Sequence, residues 1–157
     1  MTTTESSTER PYYLPVGLPE PAPYPDGLAK EYWEATRAHR LVAQRCNQCE
    51  TWQWGPEFIC HQCHSDDLRY EAVEPRGRIY SWERSWYPVH PALQNGVPYI
   101  VVLVELPQAG NVRMVGNLLG DPRQDVLIGS EVEAVFEDHD DAQPPYTLVQ
   151  WSIAGSA

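Results

Sequence analysis

Every cysteine of this chain lies in one stretch, "RCNQCETWQWGPEFICHQCH" (45–64), as two Cys-x2-Cys pairs, Cys46/Cys49 and Cys60/Cys63, with ten residues between them. Each Cys-x2-Cys turn can aim two sulfurs at one point, and two such turns complete the four-thiolate tetrahedral shell of structural zinc. A module this small cannot fold on an apolar core of its own, so metal binding, worth about 10–16 kcal/mol in zinc-finger peptides, would supply its stability. The spacer "ETWQWGPEFI" (50–59) fits a short β-hairpin between the two knuckles. Iron in the same shell would make an electron carrier, because ligand type alone does not separate zinc from iron. No flavin or nicotinamide motif accompanies the cluster. A redox-active pair would open a helix after a strand, a setting neither pair has. His61 and His64 flank the second pair and are read as neighbours of a complete shell, not as ligands.

The charge balance narrows the partners. Asp and Glu number 22 against 11 Lys and Arg, for a net charge of -11 over 157 residues. Contacts to a phosphate backbone need lysine and arginine, so nucleic acid is disfavoured. No apolar run approaches the roughly 18–20 residues that span a bilayer, and "MTTTESSTERPYY" has neither the basic nor the apolar part of a signal peptide. The expectation is a soluble, cytoplasmic protein that does not bind a membrane. Its reduced cysteines then serve as ligands and not as disulfides.

Three regions follow along the chain. Residues 1–25 form a proline-rich arm with six prolines between 11 and 25, and its apolar residues Tyr12, Tyr13, Leu14, Val16, Leu18 and Tyr24 suit wrapping over a partner or over the chain itself. Residues 26–75 hold a helix, "DGLAKEYWEATRAHR" (26–40) with Asp26 as N-cap, and then the cysteine module between the strand-like pieces "LVAQRC" and "LRYEAVE". Residues 76–157 read as five strands, at 77–87, 98–106, 112–120, 131–138 and 146–154, separated by Pro, Gly, Asn or Asp. Five strands without an interposed helix fit a small barrel, with the OB-fold as first choice. The second of them, "PYIVVLVEL", is apolar on both faces.

Familiar catalytic signatures are missing: there is no G-x-S-x-G, H-E-x-x-H, Walker or dinucleotide-binding motif. His39, His90 and His139 have no evident partner in sequence, and the acidic group "EDHDD" (137–141) reads as a solvated loop. One stripe stands out. Period-two alternation in the first barrel strand puts Arg78, Tyr80, Trp82, Arg84 and Trp86 on one face. Aromatics interleaved with arginine serve single-strand-binding barrels and protein interfaces alike. Residues 76–120 hold four arginines against two glutamates, a mildly basic zone in an acidic chain.

The helix "EYWEATRAHRLVAQRC", the double Cys-x2-Cys ribbon, "GRIYSWERSWYPVHPAL", "VPYIVVLVELPQAGNVRMVGNLLG" and "IGSEVEAVFED" occur in an order that resembles one known family over residues 28–153. These are the OB-fold proteins with an N-terminal rubredoxin-like zinc ribbon, catalogued as domain of unknown function thirty-five and associated with acyl-CoA metabolism. Departures are local, since "CETW" and "CHQC" replace the family's frequent Cys-Gly and Cys-Pro-x-Cys.

The resemblance implies a mainly β fold, with an N-terminal helix and rubredoxin-like zinc ribbon followed by a five-stranded OB barrel. It implies structural zinc, a thiolase-superfamily partner in a hetero-oligomer with two copies of each chain as one arrangement, and acyl-CoA as a ligand of the complex. The implied role is that of a subunit without its own catalytic residues, supporting retro-aldol cleavage of a β-hydroxyacyl-CoA in steroid side-chain degradation, or acyl transfer. In this reading Tyr80, Trp82 and Trp86 anchor the partner, while Arg78, Arg84, Arg113 and the loop around His90 line the approach of the acyl-CoA. Two alternatives stay open: an OB-fold single-stranded nucleic-acid binder, and a free-standing acyl-CoA hydratase or lyase.

Overall fold

The structure, a computed structural model, describes residues 12–21 and 27–155. Two antiparallel sheets organise it. A three-stranded sheet of order β2-β1-β3 consists of β1 (Leu41–Cys46), β2 (Trp52–Gln53) and β3 (Leu68–Val73). A five-stranded sheet of order β6-β5-β4-β7-β8 consists of β4 (Arg76–Ser85), β5 (Tyr99–Leu106), β6 (Val112–Asn117), β7 (Glu131–His139) and β8 (Tyr146–Ile153). All five barrel strands lie where the alternation and turn residues place them, to within three residues at either end.

Residues 117–119 nearly close this sheet into a barrel. Leu118 N–H still donates to Ile100 O of β5 at 3.0 Å while Leu118 forms a parallel bridge with Trp151 of β8, Leu119 N–H donates to Trp151 O at 2.7 Å, and Asn117 N–H donates to Gln150 Oε1 at 2.9 Å. That crossing explains why the third barrel strand stops at Asn117, short of the expected 120. The closure depends on a missing side chain. A Cβ at Gly116 would lie 2.7 Å from Trp151 Cδ1, closer than carbon atoms approach without a shift. Gly116 therefore lets the largest fully buried side chain of the protein lie flat against β6.

One apolar core serves both sheets. Ile100, Val102, Val104 and Leu106, the inward residues of β5, are completely buried, and they join Ile79, Met114, Leu118, Val132 and Trp151. Leu41, Ala43 and Val73 of the three-stranded sheet belong to the same cluster, and Trp52 and Trp54 pack against it. The small sheet thus borrows its core from the barrel.

The only α-helix among the described residues, α1 (Lys30–Arg37), is shorter than the expected 26–40. His39 adopts a left-handed φ of 52° and ends it, with Arg40 N–H returning to Ala35 O at 2.9 Å. At the other end Ala29 occupies the cap position without a side-chain bond, and Asp26 lies outside the described residues. The helix packs on β1 and β8, burying Ala35 and Thr36.

The acidic group at 137–141 is not an idle solvated loop, which corrects the sequence expectation. Asp138 accepts from Thr147 Oγ1 at 2.6 Å and lies 2.8 Å from His39 Nε2, while Asp140 pairs with Arg37 at 2.7 Å. Asp141 accepts from the Tyr12 hydroxyl at 2.5 Å, and Glu137 accepts from Tyr13 N–H at 2.8 Å. Helix end and arm are therefore fastened at one point, and arm residues 12–21 wrap over the chain itself. The remaining contacts fit: Pro15 lies against Gly96, and Tyr12, His139 and Tyr146 stack with ring centroids 4.0 and 4.5 Å apart.

Two predictions follow from these contacts. Gly116→Ala should destabilise the protein by about 1–3 kcal/mol through overpacking against Trp151, read as a lower urea midpoint at unchanged slope. Hydrogen bonds from Thr147 and His39 hold the Asp138 carboxyl below its usual range. A depressed carboxylate contributes stability that is fully present above about pH 4 and is lost as pH falls through its folded value. Melting temperature from pH 6 to pH 2 should accordingly fall less steeply for Asp138→Asn than for the wild type.

Candidate metal centre and its surroundings

The four cysteine sulfurs converge from two matched turns. In the first, Gln48 N–H points at Cys46 Sγ (3.3 Å), Glu50 N–H donates to Cys46 O (3.1 Å) and Cys46 N–H donates to Thr51 O (2.9 Å). In the second, Gln62 N–H points at Cys60 Sγ (3.4 Å), His64 N–H donates to Cys60 O (2.9 Å) and Cys60 N–H donates to Ser65 O (2.8 Å). The residue that follows each pair, Glu50 or His64, has a left-handed φ of 60° or 62°. Glycine takes that conformation most easily, so the absence of Cys-Gly here costs about 1–2 kcal/mol per turn. The cluster has to offset that cost.

All four sulfurs lie within 4.8 Å of one another, with Cys46–Cys63 at 3.6 Å and Cys49–Cys60 at 3.5 Å. Four sulfurs about 2.3 Å from one tetrahedral ion stand about 3.8 Å apart, so the shell fits a single zinc-sized ion. Electrostatics agree. Hydrogen bonds from Thr51 favour the Cys49 thiolate and bring it down to about 6. Cys63 has a backbone hydrogen bond from Ser65 that works the same way, yet contact with Cys49, burial and the other two sulfurs push it up to about 12. Without a cation, four crowded thiolates cannot all ionise together; a dication is what the set accommodates.

Behind the second knuckle lies a polar support that sequence reading missed. Gln44 and Gln53 are both buried; Gln53 Nε2 donates to Gln44 Oε1 at 3.0 Å, and the same oxygen accepts from Glu57 N–H at 2.9 Å. Gln53 Oε1 receives His61 N–H at 3.3 Å and stands 3.2 Å from His61 Nδ1. His61 is thus turned toward the support and not toward the sulfurs. Two glutamines nine residues apart carry no signal of this kind until the β1–β2 pairing sets them side by side. Of the spacer's aromatics, Trp52 and Trp54 pack on the shared core, with Arg45 over Trp52 at 5.0 Å, whereas Phe58 is 67% exposed at the tip.

The five-residue stripe of β4 does not survive as one face. Ile79 pairs with Val104 and Ser81 with Leu103, so Tyr80 is an extra residue, a bulge that reverses the alternation beyond it. Arg78 and Tyr80 face outward. Trp82 and Arg84 turn to the side of Val102 and Ile100, where Trp82 packs against the core. Tyr80 carries the Arg113 guanidinium 3.4 Å from its ring centroid, and Arg113 also pairs with Glu105 at 3.5 Å. Arg84 lies 5.3 Å over Trp82 and donates to the carbonyls of Pro122, at 2.8 Å, and Gln124. Trp86 is exposed beneath Arg123 at 5.4 Å. His90 Nδ1 accepts from Ala92 N–H at 3.2 Å and caps a short 3-10 turn, Pro91–Leu93. Six residues of strand, about 20 Å, separate Arg78 from Arg84, so these side chains form two groups and not one cradle. The histidines read as partnerless have partners: His39 with Asp138 at 2.8 Å, and His139 with Glu137 at 2.9 Å. No helix among the described residues is long and apolar enough to cross a membrane.

Comparison with known proteins agrees with this architecture. Residues 33–69 match the rubredoxin-like zinc ribbon domain of ChsH2, and residues 70–137 match its C-terminal OB-fold domain. A solved structure described as the Ltp2-ChsH2(DUF35) aldolase superimposes with a TM-score of 0.70 at 31% identity, over 86% of this chain and 99% of that one. The chain belongs to the DUF35 family. Among curated relatives of this DUF35 chain, a probable enoyl-CoA hydratase alpha subunit of Thermomonospora curvata is 35% identical over 92% of the chain and 42% of the relative. A 3-oxo-4,17-pregnadiene-20-carboxyl-CoA hydratase alpha subunit of Mycobacterium tuberculosis is 28% identical over 88% of the chain and 45% of the relative. A DUF35 domain-containing scaffold protein of Methanocaldococcus jannaschii is 29% identical over 68% of the chain and 77% of the relative. The chain therefore spans less than half the length of the two hydratase subunits.

Cys60→Ser should leave less than one metal equivalent per chain and melt the small sheet, read by elemental analysis and amide hydrogen exchange of residues 41–73. Purified wild-type protein should hold one zinc and no visible chromophore; stoichiometric iron would reverse the assignment.

Proposed function

We propose that this chain is an accessory subunit that binds a thiolase-superfamily partner and supports that partner's acyl-CoA chemistry, retro-aldol cleavage of a β-hydroxyacyl-CoA from a steroid side chain or acyl transfer. The observation that carries the proposal is the likeness of nearly the whole chain to one from an aldolase assembly, Ltp2-ChsH2, covering 99% of that chain. A relative named as a scaffold protein and two named as alpha subunits of CoA-ester hydratases support the same reading. Because this chain spans under half of those hydratase subunits, their hydration chemistry is not carried over.

The residues agree with a supporting role. All four cysteines point into one shell that fits structural zinc, which leaves no free thiol nucleophile. Arg84 is engaged by backbone carbonyls, Arg113 by Glu105 and Tyr80, and His90 by its own turn. With the arginines split between two ends of β4, this chain alone builds no single acyl-CoA cradle. In the proposed assembly acyl-CoA meets these groups only together with the partner. The ribbon then works as a stiff extension of the barrel, held by zinc at one end and by the shared core at the other.

Co-expression with a thiolase-superfamily protein from the same genome, followed by assay on a β-hydroxyacyl-CoA, tests the proposal. A stable complex that releases a shorter acyl-CoA and a carbonyl product, or transfers the acyl group, is expected, while the isolated chain is inactive. Turnover by the isolated chain would replace the proposal with a free-standing lyase or hydratase.

A further inference from the structure

The two knuckles of the metal centre are held in different ways. Cys46 ends β1, and its pairing with Leu68 puts the first knuckle on the ladder between β1 and β3. Arg69 adds bonds to Cys46 O, at 3.4 Å, and to Asn47 Oδ1, and Asn47 N–H donates to Asp67 O at 2.9 Å. The second knuckle has no such frame. Residues 54–67, which carry Cys60 and Cys63, contain no strand. The bonds from Cys60 N–H to Ser65 O and from His64 N–H to Cys60 O close the turn on itself and fix nothing outside it.

Two buried side chains take the place of the missing strand. Gln44 and Gln53 are direct cross-strand partners in β1 and β2, each 5% exposed. The Gln44 amide meets the backbone of Glu57 twice: Oε1 accepts from Glu57 N–H at 2.9 Å, and Nε2 donates to Glu57 O at 3.2 Å. A residue facing Glu57 in an antiparallel ladder would supply the same two-point exchange. The Gln53 amide spans Cys60. Its Nε2 donates to Ile59 O at 3.4 Å on one side, and its Oε1 accepts from His61 N–H at 3.3 Å on the other. Both neighbours of one metal ligand are therefore bonded to a single side chain.

The backbone dictates how both amides are turned. A backbone N–H can only donate and a carbonyl can only accept, so Glu57 orients Gln44, and Ile59 with His61 orients Gln53, each independently of the other. So oriented, Gln53 Nε2 faces Gln44 Oε1 and donates to it at 3.0 Å. The two amides match although different backbone groups set them. Because both side chains are buried, breaking one of these bonds leaves an unpaired polar group away from water, which costs more than the bond itself contributes.

We propose that Gln44 and Gln53 are positioning residues of the metal centre: their paired amides hold the second knuckle against the first, and the shell opens from the Cys60 and Cys63 side when the pair is broken. This rests on the assignment of a zinc-sized ion to the four sulfurs. Both glutamines act through the backbone at residues 57, 59 and 61 and not as ligands. Loss of groups that orient metal ligands typically lowers metal affinity by about 10–100-fold.

The first test uses the unaltered, zinc-loaded chain. Measured by NMR and corrected for intrinsic rates, Glu57 N–H and His61 N–H should exchange with solvent deuterium at least about tenfold more slowly than Phe58 N–H, although none of the three lies in a strand. The second uses Gln44→Met and Gln53→Met, which remove the amides and nearly keep the volume. Each variant should lose zinc to excess EDTA about tenfold faster than the wild type or more, and the double variant should exceed the faster single by no more than about threefold, since the amides act as one unit. Labelling with N-ethylmaleimide and peptide mass mapping separate positioning from a general loss of stability. Cys60 and Cys46 are both 0% exposed, yet in the variants Cys60 should be labelled well before Cys46. Fast exchange at Glu57 and His61, zinc release within about threefold of the wild type, or equal labelling of Cys60 and Cys46 would each overturn the proposal while the zinc assignment stands. Wild-type protein that holds no zinc overturns both. If the methionine variants do not fold, the exchange measurement on the unaltered chain decides.

Discussion

Four sulfur atoms within 4.8 Å of one another hold a segment that has almost no core of its own. Residues 41–73 contribute only a handful of fully buried apolar side chains, and three of these, Leu41, Ala43 and Val73, are buried by the barrel. Two constraints therefore act in series. The cluster fixes the knuckles relative to β1 and β3, and the shared core fixes those strands relative to the barrel. Trp52 forms the mechanical link: Arg45 lies over its ring, and a Cβ at Gly110 of the barrel would touch its side chain at 3.0 Å. The ribbon is thereby part of the barrel's packing and not an appendage on a tether.

One extra residue in β4 decides how the barrel meets its surroundings. Without the bulge at Tyr80, Trp82 and Arg84 would face outward beside it, and a continuous aromatic and basic stripe would suit a stacked single strand. With it, Trp82 enters the core and Arg84 becomes a clasp for the neighbouring loop, while Tyr80 stays outside with Arg113 on its ring. What remains outside is an interrupted set, Arg78, Tyr80 and Arg113, in place of a continuous stripe.

Local signals were enough to find the strands and the cluster. Alternation such as Val132, Ala134 and Phe136 against Glu131, Glu133 and Glu137 depends only on which side of β7 is buried, and the Cys-x2-Cys turns are closed by their own backbone. The features that sequence could not show depend on distant partners. In "GRIYSWERSWY" the adjacent apolar pair Ile79–Tyr80 is the one local sign of a shift in alternation, with no glycine or proline at the bulge, and the bulge itself is defined by pairing with β5. The acidic group at 137–141 finds its partners in Tyr12, Tyr13, Arg37 and His39, about 100 residues away in sequence. The expected helix overran at its end because His39, in a left-handed conformation, terminates it while reaching back to Asp138.

That acidic turn joins two otherwise independent attachments. The arm enters it through Tyr12 and Tyr13, and the helix through Arg37 and His39. Their docking equilibria are consequently linked, so a perturbation that repositions β7 near Asp138 is felt by the arm and the helix together. Arm residues 12–21 and α1 are therefore coupled to one another through the end of β7, although the zinc ribbon lies between α1 and that strand in sequence.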